Sequence, residues 1–108
     1  MTDAVPPATP KPAFLMITAR VTDRAKMAAY SKALDDSGLL AAHGGDYQFT
    51  GQPANRVEGW PDGVGAVLVR FPSRADAESF WFSAKYQDDL KPLRRGAGTL
   101  QAAIFDGV

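Results

Sequence analysis

Residues 64–71 read Val-Gly-Ala-Val-Leu-Val-Arg-Phe, bounded by Pro61-Asp62-Gly63 before and Pro72-Ser73 after. A short, β-branched, apolar run between breakers predicts a strand. Alternation puts Gly65, Val67, Val69 and Phe71 on one face and Ala66, Leu68 and Arg70 on the other. Both faces are largely apolar, so both call for a cover. Ala13–Val21 repeats the pattern. Ala13, Leu15, Ile17, Ala19 and Val21 form an apolar face, and Phe14, Met16, Thr18 and Arg20 an amphipathic one. Asp46–Gly51 alternates too, with Tyr47 and Phe49 on one side, and residues 55–60 could extend it. Residues 99–105 make a last strand, with Leu100, Ala102 and Ile104 on one face.

Between these strands the period lengthens to that of a helix. Met27, Tyr30 and Leu34 share a face after a cap at Thr22 or Asp23. Asp35-Asp36-Ser37-Gly38 interrupts it, residues 39–43 add a turn or two, and Gly44 suits a left-handed stop. After Ser73, Ala77, Phe80, Trp81 and Ala84 sit at i, i+3, i+4 and i+7, the spacing of a buried stripe. Phe82 lies off it. Residues 86–95 read as a turn or a second helical piece broken by Pro92, and residues 96–98 as a loop.

Strand, helix, strand, strand, helix, strand is the α+β, ferredoxin-like βαββαβ order, with a four-stranded antiparallel sheet and the first and third strands central. Two helices cover only one face of such a sheet. Phe14, Met16, Leu68 and Ile104 are then expected on the other. Burying a few hundred Å² there at about 25 cal/mol per Å² favours association by several kcal/mol. A homodimer that joins two sheets into a dimeric α/β barrel is the expectation.

The 108 residues suit one domain, taken as residues 13–108 after a flexible arm, residues 1–12, that carries four prolines. Twelve basic and twelve acidic residues give zero formal charge, so no footprint for nucleic acid or an anionic membrane is expected. Cysteine is absent, which removes disulfides, thiolate metal sites and a Cys nucleophile. No apolar run approaches the roughly 20 residues of a membrane span. The first residues lack the basic and apolar regions of a signal peptide, so cytoplasmic residence is the default.

Five segments give the chain a further meaning: Val21-Thr22-Asp23 with Tyr30; Ala42-His43-Gly44-Gly45-x-Tyr47; Val57-Glu58-Gly59-Trp60; Arg70-Phe71-Pro72-Ser73; and Trp81-x-Ser83-x-x-Tyr86-Gln87 followed by Leu93-Arg94. In order and spacing they resemble the DUF1330 family of small bacterial proteins over residues 13–107. The resemblance implies a dimeric α/β barrel on a ferredoxin-like unit and brings no reaction with it. The chain departs from the family pattern at Asp46, at Thr50-Gly51-Gln52 and at Asp62-Gly63, where basic residues are common, so no anion site is carried over at those positions.

The candidate chemistry is sparse. His43, the single histidine, could act as a general acid or base at the barrel mouth, or simply end a helix. Glu58 beside Gly59-Trp60 could be a base with a raised pKa, or a solvated carboxylate. Trp60, Trp81 and Tyr86 could line a pocket for a planar or apolar ligand, although Trp81 at helical spacing suits a core. Arg20, Arg70 and Arg94 could bind a carboxylate or phosphate, or pair with rim carboxylates. Arg20 and Arg70 fall at opposite ends of antiparallel strands and cannot form one clamp within a subunit. With one histidine, a zinc site is not expected, nor is any other metal, and no nucleotide fingerprint or cofactor motif is present. Two functions fit: a homodimer that binds a small, partly apolar organic molecule and acts on it without a cofactor, or a non-catalytic ligand-binding or structural accessory dimer.

Overall fold

The computed structural model describes residues 11–108, so all but the end of the proline-rich arm lies outside it. The elements are β1 (Ala13–Val21), α1 (Arg24–Ser37), α2 (Leu39–Ala42), β2 (Asp46–Gly51), β3 (Val64–Phe71), α3 (Arg74–Trp81) and β4 (Gly98–Asp106). A π-helical segment, Lys85–Leu90, and a 3₁₀ turn, Lys91–Arg94, lie between α3 and β4. The sheet is antiparallel in the order β2-β3-β1-β4, the ferredoxin-like arrangement expected from the element order, with β1 and β3 central.

The register sorts the side chains as alternation predicts for β1 and β3. Leu15 faces Val69 and Ile104, Ile17 faces Val67 and Ala102, and Ala19 faces Gly65 and Leu100. The helices cover this face. Ala13, Leu15, Val69 and Phe71 are buried in one core with Tyr30, Leu34, Leu40, Ala77, Phe80, Tyr86 and Leu90. The opposite face carries Phe14, Met16 and Leu68 in a row of cross-strand neighbours, flanked by Phe49 and Phe105, which are 50% and 54% exposed. Ile104 was expected on this open face; its pairing with Leu15 puts it on the covered one, packed against the core, and Phe105 takes its place.

β2 departs from simple alternation. Tyr47 pairs with Val69 but Phe49 pairs with Leu68, so Gln48 is a bulge. The extra residue turns Tyr47 toward the helices and Phe49 toward the open face, where strict alternation had put them together. Residues 55–60 do not extend β2. They form an irregular loop, pinned where Trp60 Nε1 donates to the Val64 carbonyl at 2.7 Å.

The helix ends follow local rules. Asp23 caps α1, accepting from the Lys26 N–H at 3.0 Å. Gly38 ends α1 at φ 67°, a conformation that favours glycine. Ser73 caps α3. Its Oγ accepts from the Asp76 N–H at 3.1 Å and donates to the Asp76 carboxylate at 2.9 Å. α3 stops at Trp81, sooner than the apolar stripe implied, so Ala84 is exposed rather than buried, as is Phe82. Ser83 makes the stop and the restart, donating its hydroxyl to the Phe80 carbonyl at 2.8 Å and accepting from the Tyr86 N–H at 3.1 Å.

The cap on α3 is directly testable. Ser73→Ala removes an acceptor for one helix N–H and a donor to Asp76, and is expected to lower the unfolding free energy by about 1 kcal/mol in denaturant titration. A change of a few tenths or less would mean that the first turn of α3 is held by packing alone.

Candidate ligand-binding site

The helices do not close fully onto the sheet. A cavity of about 550 Å³ lies between them. Its floor is the covered face, with Leu15, Ile17, Ala19, Val67 and Leu100; Met27, Tyr30 and Leu34 of α1 roof it. Small residues make the space, since Ala19 and Gly65 stand where larger side chains would fill it. Gly65 has a second role. A Cβ there would stand 3.0 Å from the Gly51 carbonyl, so its absence lets the end of β2 close over that side of the cavity. Gln52 seals the corner, its side-chain amide lying against the Val64 carbonyl and the Gly65 N–H.

Polar groups are few and grouped. The hydroxyls of Tyr30 and Tyr86 lie 2.8 Å apart within the buried region. In a pair of hydroxyls one donates and the other accepts, so one O–H proton remains available to a ligand. Tyr47 donates a long hydrogen bond, 3.4 Å, to the Asp35 carboxylate, and both line the cavity wall. Burial is the main reason the Tyr30 phenol is held far above the usual tyrosine value, with Tyr86 adding to the effect and the Arg94 guanidinium opposing it. The Tyr47 phenol is pushed up to about 12, first by burial and then by the Asp35 charge. Near neutrality both phenols stay protonated and serve as hydrogen-bond donors.

Of the eight residues singled out in the sequence, Tyr86 alone lines this cavity. It is fully buried, with its ring 4.8 Å from Phe80 and 5.0 Å from Trp81. Arg94 lines a second hollow beside it, described below. Trp81 lines neither; half-buried at the end of α3, it stacks on Tyr86 and its carbonyl accepts from Gln87 Nε2 at 2.7 Å. His43 ends α2 with its ring edge-on to Phe80, 6.2 Å between centroids, and it borders neither hollow. Glu58 is exposed in the loop of residues 52–63. Arg20 and Arg70 lie at opposite ends of the open face, paired in register with Val64 and Phe14 respectively, and make no ion pair among the described residues. Trp60 serves its loop.

Sequence reasoning missed Tyr30, Tyr47 and Asp35 as site residues. A signal existed for Tyr30. A tyrosine at a core position of a helix needs a partner for its hydroxyl, and Tyr86 is the partner. Tyr47 could not be found this way, because the bulge at Gln48 is what turns it inward.

The family is now plain. A domain of unknown function, DUF1330, matches residues 12–108, and the chain belongs to that family. No curated protein matches it in sequence. Solved structures share its fold. One is a candidate antibiotic biosynthesis monooxygenase from Nitrosomonas europaea, 14% identical, with a TM-score of 0.59 over 92% of each chain. Another, a candidate antibiotic biosynthesis monooxygenase from Caulobacter crescentus CB15, is 23% identical with a TM-score of 0.54 over 93% of this chain and 92% of that one. A conserved protein of unknown function from Bacteroides thetaiotaomicron, described as a possible oxidoreductase, is 13% identical with a TM-score of 0.56 over 89% of this chain and 97% of its own. At these identities the likeness is one of fold. Among the described residues no helix is long and apolar enough to cross a membrane.

The two raised phenols set the alkaline behaviour. Their unfolded value is near 10.0, so the unfolded chain loses these protons first. The stability they contribute is complete below pH 10 and falls as pH rises toward the folded values. In a spectroscopic titration the tyrosinate signal of the folded protein is expected to lag that of the chain in denaturant, and Tyr30→Phe should flatten the alkaline loss of stability. Coincident titration curves would contradict the burial of these phenols.

Proposed function

We propose that this protein is a homodimeric binding protein for a small, partly apolar organic molecule held between sheet and helices. The cavity is the observation that carries the reading. About 550 Å³ is the size of a small-molecule pocket, and its apolar wall with a few convergent hydroxyls is the usual composition of one. The apolar body of a ligand would lie on Ile17, Val67 and Leu100, and the free O–H of the Tyr30–Tyr86 pair would donate to a carbonyl or hydroxyl oxygen.

A binding role is favoured over turnover by the site's chemistry. Tyr30 and Tyr47 hold their protons too tightly to act as bases near neutrality. His43 and Glu58, the groups expected to move protons, border neither hollow. Oxidation, in line with the descriptions of the fold neighbours as a possible oxidoreductase and a candidate monooxygenase, is the competing reading, and it rests on fold analogy.

The open face supports the homodimer. Phe14, Met16, Leu68, Phe49 and Phe105 make a contiguous apolar band on a sheet face with no helical cover. Pairing two such faces would complete the barrel and leave both ligand cavities on its outer layer.

Two measurements test these claims. Titration with an uncharged naphthyl fluorophore is expected to show one saturable site per chain, weakened roughly tenfold by Ile17→Phe, which fills the floor. Lack of saturable binding would end the ligand reading. Light scattering at micromolar concentration is expected to give the dimer mass, and Leu68→Glu, which puts a charge at the centre of the band, should yield a folded monomer. A monomeric parent protein would remove the dimer.

A further inference from the structure

A second hollow, about 390 Å³, opens where the 3₁₀ turn meets the start of β4. Lys91, Arg94 and Arg95 line it together with Gln87, Gly96 and Leu100, and no acidic residue does. Lys26 adds a fourth cation at its edge, with Nζ donating to the Arg95 carbonyl at 3.0 Å. Ion pairs form at Lys32–Asp36, Arg56–Asp62, Arg74–Glu78, Arg74–Asp106 and Lys85–Asp89, and none of those among the described residues includes these four. In a chain of zero formal charge this is a local concentration of positive potential in a concave place, which attracts an anion.

Arg94 is the residue built for the purpose. Its guanidinium lies over the Tyr30 ring at 5.6 Å and the Trp81 ring at 6.0 Å. Two aromatic faces hold it in place, so little side-chain freedom is left to lose on binding. Its Nε is buried and has no hydrogen-bond partner among the described residues. Buried donors nearly always have one. An oxyanion in the hollow would meet the terminal nitrogens of the guanidinium, in the bidentate geometry arginine favours.

The two hollows adjoin. Leu100 lines both, and Tyr30, which roofs the larger, carries Arg94 on its ring. We infer that Arg94, with Lys91 and Arg95, is an anion subsite, and that the ligand is an amphipathic organic acid whose apolar body fills the main cavity and whose carboxylate or phosphate reaches Arg94. This deepens the binding reading and depends on it. The cations come from a different part of the chain than the positions 46, 50–52 and 62–63 at which the family resemblance carried no anion site.

Calorimetry on the full chain separates the two claims, with octanoate, octyl phosphate, octanol and inorganic phosphate as probes. Octanoate or octyl phosphate is expected to bind roughly tenfold or more tightly than octanol, and which of the two binds better identifies the headgroup. Arg94→Gln should bring the anion down to the affinity of octanol and leave octanol unchanged, while Arg94→Lys restores part of the preference. If Arg94→Gln unfolds, Lys91→Gln and Arg95→Gln on the rim carry the same comparison. Equal binding of octanol and octanoate, or variants that weaken both alike, would overturn the subsite and leave the cavity standing. If no octyl probe binds, the cavity reading fails. Inorganic phosphate binding that is lost in Arg94→Gln would then preserve an anion site alone, and its absence would overturn that too.

Discussion

The arrangement depends on one hydrogen bond between two buried phenols. Tyr30 belongs to α1 and Tyr86 to the π-helical segment, and their hydroxyls meet at 2.8 Å. In water each would be solvated; inside the protein each requires the other, and removing either leaves a polar group stranded at a cost of about 1–3 kcal/mol. The contact therefore fixes the distance between two helical segments that share no other buried polar link among the described residues. The ring of Tyr86 continues the connection through Phe80 to Phe71 of the central strand. Helices held apart by the length of two tyrosines cannot settle fully onto a floor that is small at Ala19 and Gly65, and the cavity is what remains.

The two faces of the sheet thus have different tasks. The covered face is half core and half hollow. Large side chains, Leu15, Val69 and Phe71, pack under α3 at one end, and small ones lie beside the cavity at the other. The open face carries an apolar band between its polar ends, and the aromatic flanks of that band, Phe49 and Phe105, belong to the two edge strands. Ligand and subunit partner, in the reading proposed above, use opposite sides of one four-stranded layer and do not compete for it.

What was legible in the sequence was whatever is decided within a few residues. The bounds of β1, β2 and β3, the cap at Ser73, the cap at Asp23 as one of two candidates, the break at residues 35–38 and the left-handed Gly44 depend on local sterics and hydrogen bonds, and they stand where pattern placed them. Errors arose where one residue shifts the count. Gln48 bulges and sends Phe49 to the face opposite the one alternation assigns. Ser83 caps a carbonyl and ends a stripe that apolar spacing would have continued to Ala84. The site was less legible than the fold because its members are distant in sequence. Tyr30 and Tyr86 are 56 residues apart, and nothing in the spacing of Arg94 shows that two aromatic rings will hold it. Histidine and tryptophan drew attention as chemistry-bearing types, yet the residues that converge are tyrosines that a helical period marks first as core.

The bulge at Gln48 reaches beyond the residues it reorients. β2 is an edge strand, and an unbroken edge offers its free N–H and C=O groups as a template on which any extended peptide could grow. The irregular ladder between Tyr47 and Phe49 spoils that template. Stacking of two open faces, in the reading proposed above, ends at two copies, whereas edge-to-edge growth has no natural stopping point. One inserted residue both furnishes the cavity with a tyrosine and blunts this edge of the sheet against pairing with another strand.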